Sequence, residues 1–325
     1  MVLSVIKALA EKQGVSIKHL IHRALPAWEP ARSHKILHAS DLMKEHEFCP
    51  REFALFDLSP QTKPKGRFIG TAQHITYAHG KDMERRLRND WLREHVVGYW
   101  DCGVCGLHLQ TFGKSPKLNC PECHVVGRWV YREPRFDSKI SGISGGIDAI
   151  VDVGQTVHRM VEIKSIDKDY FKDLVAPYAE HRFRASLYLR LAAESDDPIA
   201  KRLNKKVLHI LYVSKSYGFK DTSLAQAGIK DEPFSPFKEY VVERDDSLTE
   251  TAVAKAKALH YFRKNSKKPS AVTFIPCGVC VSALTKRAEA CPVRAQCFSG
   301  SYPGSITWVE NAKIRHPGKE LPPEE

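Results

Sequence analysis

The sequence lacks any run of about 18 consecutive apolar residues, which is the length that a membrane-spanning helix needs. The apolar stretch at its amino terminus is short and is interrupted by Lys7, so it is unlike a secretory signal peptide. We therefore expect a cytoplasmic protein that does not contact a membrane.

Acidic residues are outnumbered by basic ones. The 325 residues include 38 Asp and Glu against 50 Lys and Arg, for a formal net charge of +12. This balance excludes an acidic, solvating protein and favours a polyanionic partner such as nucleic acid. The length suits one large domain or two ordinary ones.

The number of cysteines is odd, so they cannot all be paired with one another in disulfides. The nine cysteines argue against a disulfide framework in a reducing compartment. They fall in three places along the chain: Cys49; Cys102, Cys105, Cys120 and Cys123; and Cys277, Cys280, Cys291 and Cys297. Their C-x-x-C spacings favour metal ligation.

The pattern of apolar residues predicts a mixed α/β domain rather than a doubly wound sheet. Helices are expected within residues 1–25, from Ser40 to Cys49, over 71–95, over 177–194 and over 251–265. Strands are expected over 144–153, 157–163, 207–213 and 239–242, with a turn at Gly154 and Gln155. Residues 100–128 are predicted to have little regular structure, and the tail from Lys313 to be mobile.

Two of these strands carry a carboxylate–lysine pattern. Because side chains alternate along a strand, a hairpin that turns at residues 154–155 would bring Asp148 and Glu162 together on one side, with Lys164 beside them. Two carboxylates and the Ile163 carbonyl are suitable ligands for Mg²⁺ or Mn²⁺. The alternative is an amphipathic hairpin whose polar face simply carries charges.

Asp148 followed by Glu162-Ile163-Lys164 resembles the PD-(D/E)XK nuclease superfamily, and within it the RecB-like exonucleases that carry an iron–sulfur cluster, including CRISPR-associated and phage-encoded members. The resemblance implies a restriction-endonuclease-like mixed sheet flanked by helices. It also implies Mg²⁺- or Mn²⁺-dependent hydrolysis of DNA phosphodiesters at ends or single strands, in recombination, repair or phage DNA processing.

The same resemblance implies further site residues. These families place a metal-binding His or Glu on an upstream helix, where Glu84, His79 and His74 are candidates here, with Glu84 favoured by its spacing from Gly80. Lys164 would assist the attacking water. On a later helix the family has a Gln and a Tyr four residues apart. Tyr188 matches the Tyr, whereas Arg184 stands in place of the Gln.

The first cysteine group predicts a structural zinc site. Cys102-x-x-Cys105 and Cys120-x-x-Cys123 each supply two thiolates, which together complete a tetrahedral shell. We expect residues 100–130 to form a zinc ribbon inserted into the nuclease core.

The second cysteine group is interpreted through the resemblance. Related nucleases bind a [4Fe–4S] cluster through one early and three late cysteines, which Cys49, Cys291 and Cys297 match. Ala288 stands where another ligand is expected, so Cys277 or Cys280 would have to supply it. The alternative is a second site, for zinc or iron–sulfur, made by Cys277, Cys280, Cys291 and Cys297 alone.

The expected organisation has four parts. These are an N-terminal helical segment (1–34), a nuclease core with the cluster region (35–99 and 131–300), the zinc-ribbon insertion (100–130) and a C-terminal tail (301–325). Three rival hypotheses remain at this point: a non-catalytic zinc or iron–sulfur protein that binds nucleic acid, a structure-specific or RNA-directed endonuclease on the same core, and a factor that acts only within a complex. The sequence does not identify any protein partner.

Overall fold

The structure is a computed structural model. It describes residues 25, 28–29, 35–43, 48–58, 67–109, 111–215, 235–265, 280 and 286–298. The helices expected near the amino terminus and the C-terminal tail lie outside these residues. The chain divides into two compact units, one within 1–33 and 64–82 and the other within 34–63 and 83–325.

The described helices are α1 (Ala39–Leu42), α2 (Pro50–Leu58), α3 (Thr71–Arg86), α4 (Lys168–Lys172), α5 (Ala179–Glu194), α6 (Glu250–Asn265), α7 (Lys286–Ala290) and α8 (Arg294–Phe298). A π-helical turn (Leu87–Trp91) continues α3, and 3₁₀ turns precede β11 and α6 (Pro198–Arg202 and Asp246–Thr249). The strands are β1 (Trp28–Glu29), β2 (Leu37–His38), β3 (Arg67–Phe68), β4 (Val97–Cys102), β5 (Gly113–Lys114), β6 (Trp129–Arg132), β7 (Arg135–Asp137), β8 (Ile143–Gly146), β9 (Ala149–Val151), β10 (His158–Ile166), β11 (Leu203–Ser214) and β12 (Phe237–Glu243).

The first unit contains a short antiparallel pair. Strand β1 pairs with β3, so that Trp28 lies opposite Phe68. Most of α3 belongs to the same unit, whereas the last turn of this helix, from Met83, belongs to the second unit.

The second unit is built on a four-stranded sheet in the order β12-β11-β10-β9. Strands β10 and β11 are parallel, and the two outer pairs are antiparallel. Both faces of β10 are covered, since Met160 lies in the main core with α5, whereas Val161 and Ile163 pack with Ala149 and Leu87. Alternate residues of β10 therefore point into two different buried clusters, and neither face of this strand is simply exposed to solvent.

A second sheet, in the order β2-β8-β7, packs against α5. Gly145 lies at their contact, where an added Cβ would come within 2.8 Å of Tyr188 and of Leu191. Distances this short leave no room for a side chain, so glycine allows α5 to approach the strand that leads to Asp148.

The third sheet, in the order β5-β4-β6, belongs to the cysteine-bearing insertion. Trp100, Trp129 and Tyr131 are buried together between its strands, and the Trp129 indole donates to the Leu118 carbonyl at 3.0 Å. The prediction that residues 100–128 have little regular structure was therefore incomplete, because β4 and β6 frame the insertion and β5 lies within it.

Three other element boundaries differ from prediction. The prediction of one helix from Ser40 to Cys49 is wrong. Helix α1 begins at Ala39, after an extended His38, and ends at Leu42, and α2 starts only at Pro50. Helical structure after residue 71 ends at Trp91 rather than His95. The strand expected over 144–153 is broken at Asp148 into β8 and β9.

Among the described residues, the structure contains no helix that is both long enough and apolar enough to cross a membrane.

Candidate active site and cysteine metal site

Asp148 and Glu162 meet at the point where β8 gives way to β9. Strand β9 pairs with β10 so that Ala149 faces Val161, and Asp148 directly precedes the first of these residues while Glu162 directly follows the second. The Ile163 backbone N–H donates to Asp148 Oδ2 at 2.7 Å. The bend at Asp148 thus turns its carboxylate onto the neighbouring strand.

Glu162 is held by two cations inside the protein. Its side chain is 1% exposed, and its Oε1 accepts hydrogen bonds from Lys164 Nζ at 2.5 Å and from Arg184 Nη1 at 2.8 Å. Its other oxygen, Oε2, is buried and has no hydrogen-bond partner among the described residues. A buried carboxylate oxygen left in this way is destabilising unless a ligand reaches it.

Lys164 joins the two carboxylates. Its Nζ lies 3.7 Å from Asp148 Oδ2 and also donates to the Ile163 carbonyl at 3.1 Å. The attraction of Glu162 and Asp148 outweighs the effect of burial, which would lower the pKa of Lys164, and the pKa is raised. Lys164 is therefore a protonated donor at neutral pH.

A second group of carboxylates shares Asp148. Ligand oxygens of Glu84, Glu133 and Asp148 all lie within 4.8 Å of one another. Glu84 comes from the last turn of α3, and Glu133 directly follows β6. Three segments far apart in sequence therefore contribute to one acidic cluster, which could hold a metal ion.

Arg88 braces this cluster from the π-helical turn. Its Nη1 donates to Glu133 Oε1 at 2.6 Å and to the Asp148 carbonyl at 3.0 Å. The turn is closed by a hydrogen bond from the Leu92 N–H to the Leu87 carbonyl, five residues back. Such π turns occur often at functional sites, where they redirect side chains.

The electrostatics of the site differ from one carboxylate to the next. Burial and then the charge of Glu162 raise the pKa of Asp148 well above its usual value, and burial raises the pKa of Glu84. Burial also opposes ionisation of Glu162, but Lys164 and Arg184 outweigh it and lower the pKa of Glu162. Glu162 is thus neutralised by fixed cations, whereas Asp148 and Glu84 lack full compensation.

The other predicted site residues lie outside the acidic cluster. His79 is exposed and His74 is half-buried, both in the part of α3 that belongs to the first unit, and neither is in the acidic cluster. Tyr188 is buried on α5, and its ring lies 5.9 Å from the Arg184 guanidinium. The Ile163 carbonyl accepts from Lys164.

Glu133 was missed by the sequence reasoning. It lies in a short connection between two strands, where an acidic residue follows no pattern that distinguishes it from an ordinary turn residue. Only the placement of β6 beside β4 and of β7 beside β8 brings it to Asp148.

The first cysteine group forms a compact four-thiol site. The Sγ atoms of Cys102 and Cys123 lie 3.6 Å apart, as do those of Cys105 and Cys120. Thiolates at about 2.3 Å from one tetrahedral ion would lie about 3.8 Å apart. The four cysteines are therefore placed to bind a metal.

Two tight backbone turns, or knuckles, position these thiols, one at Cys102–Gly106 and one at Cys120–His124. In the first, the Gly106 N–H donates to the Cys102 carbonyl at 2.9 Å, and Gly106 adopts a φ of 75° that favours glycine. Backbone N–H groups of Cys105 and Val104 lower the pKa of the Cys102 thiol to about 6. The knuckle thus favours the thiolate form of Cys102, which is the form that binds metal.

The early and late cysteines partly come together. Cys49, which precedes α2, and Cys280 are buried in one small cluster with Ala288, and Cys297 packs against it. Cys291 is half-buried against the main core. The prediction for Cys277 lies outside the described residues.

No protein-family model and no curated protein matches the chain. Among solved structures, one titled "Crystal structure of SSO0001" aligns with 82% of this chain and 97% of its own, at 14% sequence identity and a TM-score of 0.31. A score this low carries no conclusion about fold or function.

Proposed function

We propose that the protein is a divalent-cation-dependent DNA nuclease of the PD-(D/E)XK type, with a restriction-endonuclease-like core. The observation that carries the proposal is the approach of Glu84 to Asp148 in one acidic cluster, together with the buried Lys164 ammonium group that joins Asp148 to Glu162. A solvated polar face, the alternative for this pattern, does not account for a glutamate that is almost wholly buried.

The residues present fit Mg²⁺ or Mn²⁺. Carboxylate oxygens are the ligands that these hard cations prefer. The buried Oε2 of Glu162 has no hydrogen-bond partner in the described part of the chain. Burial raises the pKa of Asp148, so its ionised form is unfavourable in the folded protein without a counter-charge. A divalent cation held by Glu84, Asp148 and Glu162 would compensate both.

Each side chain then has a role in phosphodiester hydrolysis. A bound cation supplies charge stabilisation at the phosphate and lowers the pKa of bound water. Lys164, kept protonated by its two carboxylates, orients the attacking water and faces the phosphate. Arg184 takes one oxygen of Glu162 and leaves the other for the cation, and Tyr188 packs beside Arg184.

DNA is the proposed substrate, and its ends or single strands are the proposed sites of cleavage. The net charge of +12 favours a polyanion, since each Lys or Arg that contacts a phosphate releases a counterion. The circular substrate in the experiment below distinguishes an exonuclease, which needs an end, from an endonuclease.

The cysteine sites are proposed to be structural. Zinc suits the four thiols of the insertion, because it forms closed tetrahedral thiolate sites without redox chemistry. A [4Fe–4S] cluster is proposed for Cys49, Cys291 and Cys297 with Cys280 or Cys277, and it would join α2 to the C-terminal helices. The packing of Cys49 with Cys280 and Cys297 supports this grouping.

Replacing Glu162 with glutamine tests the proposed activity. End-labelled linear DNA and circular single-stranded DNA are incubated with the metal-loaded protein and Mn²⁺, Mg²⁺ or EDTA. We expect cation-dependent cleavage that falls by about 10³-fold or more in Glu162→Gln, because a lost ligand removes several kcal/mol of charge stabilisation.

The matched control is Glu243→Gln, which removes one exposed carboxylate from β12 of the same sheet and should cut like the wild type. Equal cleavage by Glu162→Gln, or no cleavage by protein with its metals loaded, would contradict the proposed function.

A further inference from the structure

Glu133 reaches the acidic cluster from the position directly after β6, the last strand of the cysteine-bearing sheet, and the function proposed above does not use it. It follows β6 directly, and its carboxylate lies within 4.8 Å of ligand oxygens on both Glu84 and Asp148. Its side chain is 43% exposed, so burial alone does not force it into this position.

One arginine holds Glu133 and Asp148 in the same place. Arg88 Nη1 contacts Glu133 Oε1 and the Asp148 carbonyl together. The second oxygen of Glu133, Oε2, lies 3.8 Å from the position of a Cβ on Gly146, two residues before Asp148. Glu133 therefore lies beside the end of β8, with one oxygen engaged by Arg88.

The site as a whole has more carboxylates than fixed cations. The carboxylates are Glu84, Glu133, Asp148 and Glu162, and the cations in contact with them are Arg88, Lys164 and Arg184. Two of those cations share a single oxygen of Glu162, while its buried Oε2 has no partner among the described residues. Because Glu162 shares Lys164 with Asp148, this unpaired, desolvated oxygen is an independent sign that a cation binds beside Asp148.

We propose that Glu133 is a further ligand of the divalent cation, so that the sheet of the four-cysteine insertion positions part of the active site. The proposal rests on the nuclease function proposed above and adds to it a ligand outside the Asp148 and Glu162-Ile163-Lys164 pattern. It also assigns the insertion a role beyond the structural one proposed for its cysteine site.

The position of Glu133 depends on the insertion through a continuous set of contacts. Strand β6 pairs with β4, and in this pairing Trp129 lies opposite Cys102. Two residues before Glu133, the buried Tyr131 hydroxyl accepts from the Ile150 N–H at 3.2 Å. The strand that leads to Glu133 is thus fixed at one end by the cysteine knuckle and at the other by β9.

The test is the affinity for Mn²⁺, measured from the electron paramagnetic resonance signal of free Mn²⁺ with zinc-loaded protein. We expect Glu133→Gln to weaken Mn²⁺ binding by about tenfold or more, with zinc content and melting temperature unchanged. Glu122→Gln, at an exposed glutamate of the same insertion outside the cluster, should bind Mn²⁺ like the wild type.

Two further variants separate the explanations. Arg88→Gln removes the partner of Glu133 but keeps the carboxylate, and it should weaken Mn²⁺ binding less than Glu133→Gln does. Equal weakening in both variants would mean that Glu133 only holds Arg88 and would overturn the proposal.

Asp148→Asn distinguishes failure of this proposal from failure of the proposed function. Loss of Mn²⁺ binding in Asp148→Asn with wild-type binding in Glu133→Gln would overturn the role of Glu133 and leave the nuclease site in place. Wild-type binding in Asp148→Asn would overturn both.

Discussion

Replacing Asp148 with asparagine is expected to raise the melting temperature of the metal-free protein while lowering DNA cleavage by about 10³-fold or more. The asparagine carbonyl can still accept from the Ile163 N–H, and Lys164 keeps Glu162 and the Ile163 carbonyl as partners. The substitution therefore removes a charge with little change in packing.

The sign of the stability change follows from the pKa of Asp148. Folding raises this pKa, so above the unfolded value the ionised carboxylate destabilises the folded state, increasingly until the pH reaches the folded pKa. Asparagine carries no such charge. In EDTA, the melting temperature of Asp148→Asn should exceed that of the wild type most at high pH. The difference should vanish as the pH falls and Asp148 of the wild type becomes protonated.

Thermal unfolding in EDTA and in Mn²⁺ measures the stability of both proteins without and with the cation. Each kcal/mol of stability shifts the melting temperature by about 2–4 °C. Mn²⁺ should stabilise the wild type and have little effect on Asp148→Asn. Asp137→Asn, at an exposed aspartate of β7, is the matched control and should melt like the wild type. A lower melting temperature for Asp148→Asn in EDTA at pH 8 would contradict the account.

Replacing Cys105 with serine is expected to remove zinc from the insertion and to loosen the sheet that carries Glu133. Cys105 is exposed, so the effect comes from the lost thiolate and not from packing. Structural zinc sites contribute directly to folding free energy, about 10–16 kcal/mol in zinc-finger peptides. The insertion has only a small apolar cluster of its own, so we expect it to unfold locally without the metal.

Three measurements check this second prediction. Zinc content should fall from one per chain toward zero after dialysis against EDTA, the fluorescence of Trp100 and Trp129 should shift to longer wavelength, and Mn²⁺ affinity should fall about as far as in Glu133→Gln. Val104→Ser, at an exposed position of the same knuckle, should change none of them. Loss of zinc with unchanged Mn²⁺ affinity would show that the insertion does not position Glu133.

The meeting of Asp148 and Glu162 could be predicted because it depends on local sequence. The two residues lie on either side of a short turn, and the period-two pattern together with the turn at Gly154 specifies their register. The same locality explains why α5 and α6 match their predicted ranges to within two residues.

Contacts between distant segments could not be predicted in this way. The position of Glu133 depends on how β6 pairs with β4, and Arg88 faces the cluster because α3 changes to a π-helical turn at Leu87. Neither feature has a periodic signature in the sequence. Arg184 stands in place of the expected Gln, and the structure pairs it with Glu162, because β10 buries that glutamate against α5.

The position of Mn²⁺ in crystals of the zinc-loaded protein, located from its anomalous scattering, tests the central claim most directly. We expect a peak within bonding distance of the carboxylate oxygens of Glu84 and Asp148, next to Glu162 Oε2 and absent from Asp148→Asn crystals. Manganese bound only elsewhere on the protein, with these carboxylates unliganded, would contradict the account.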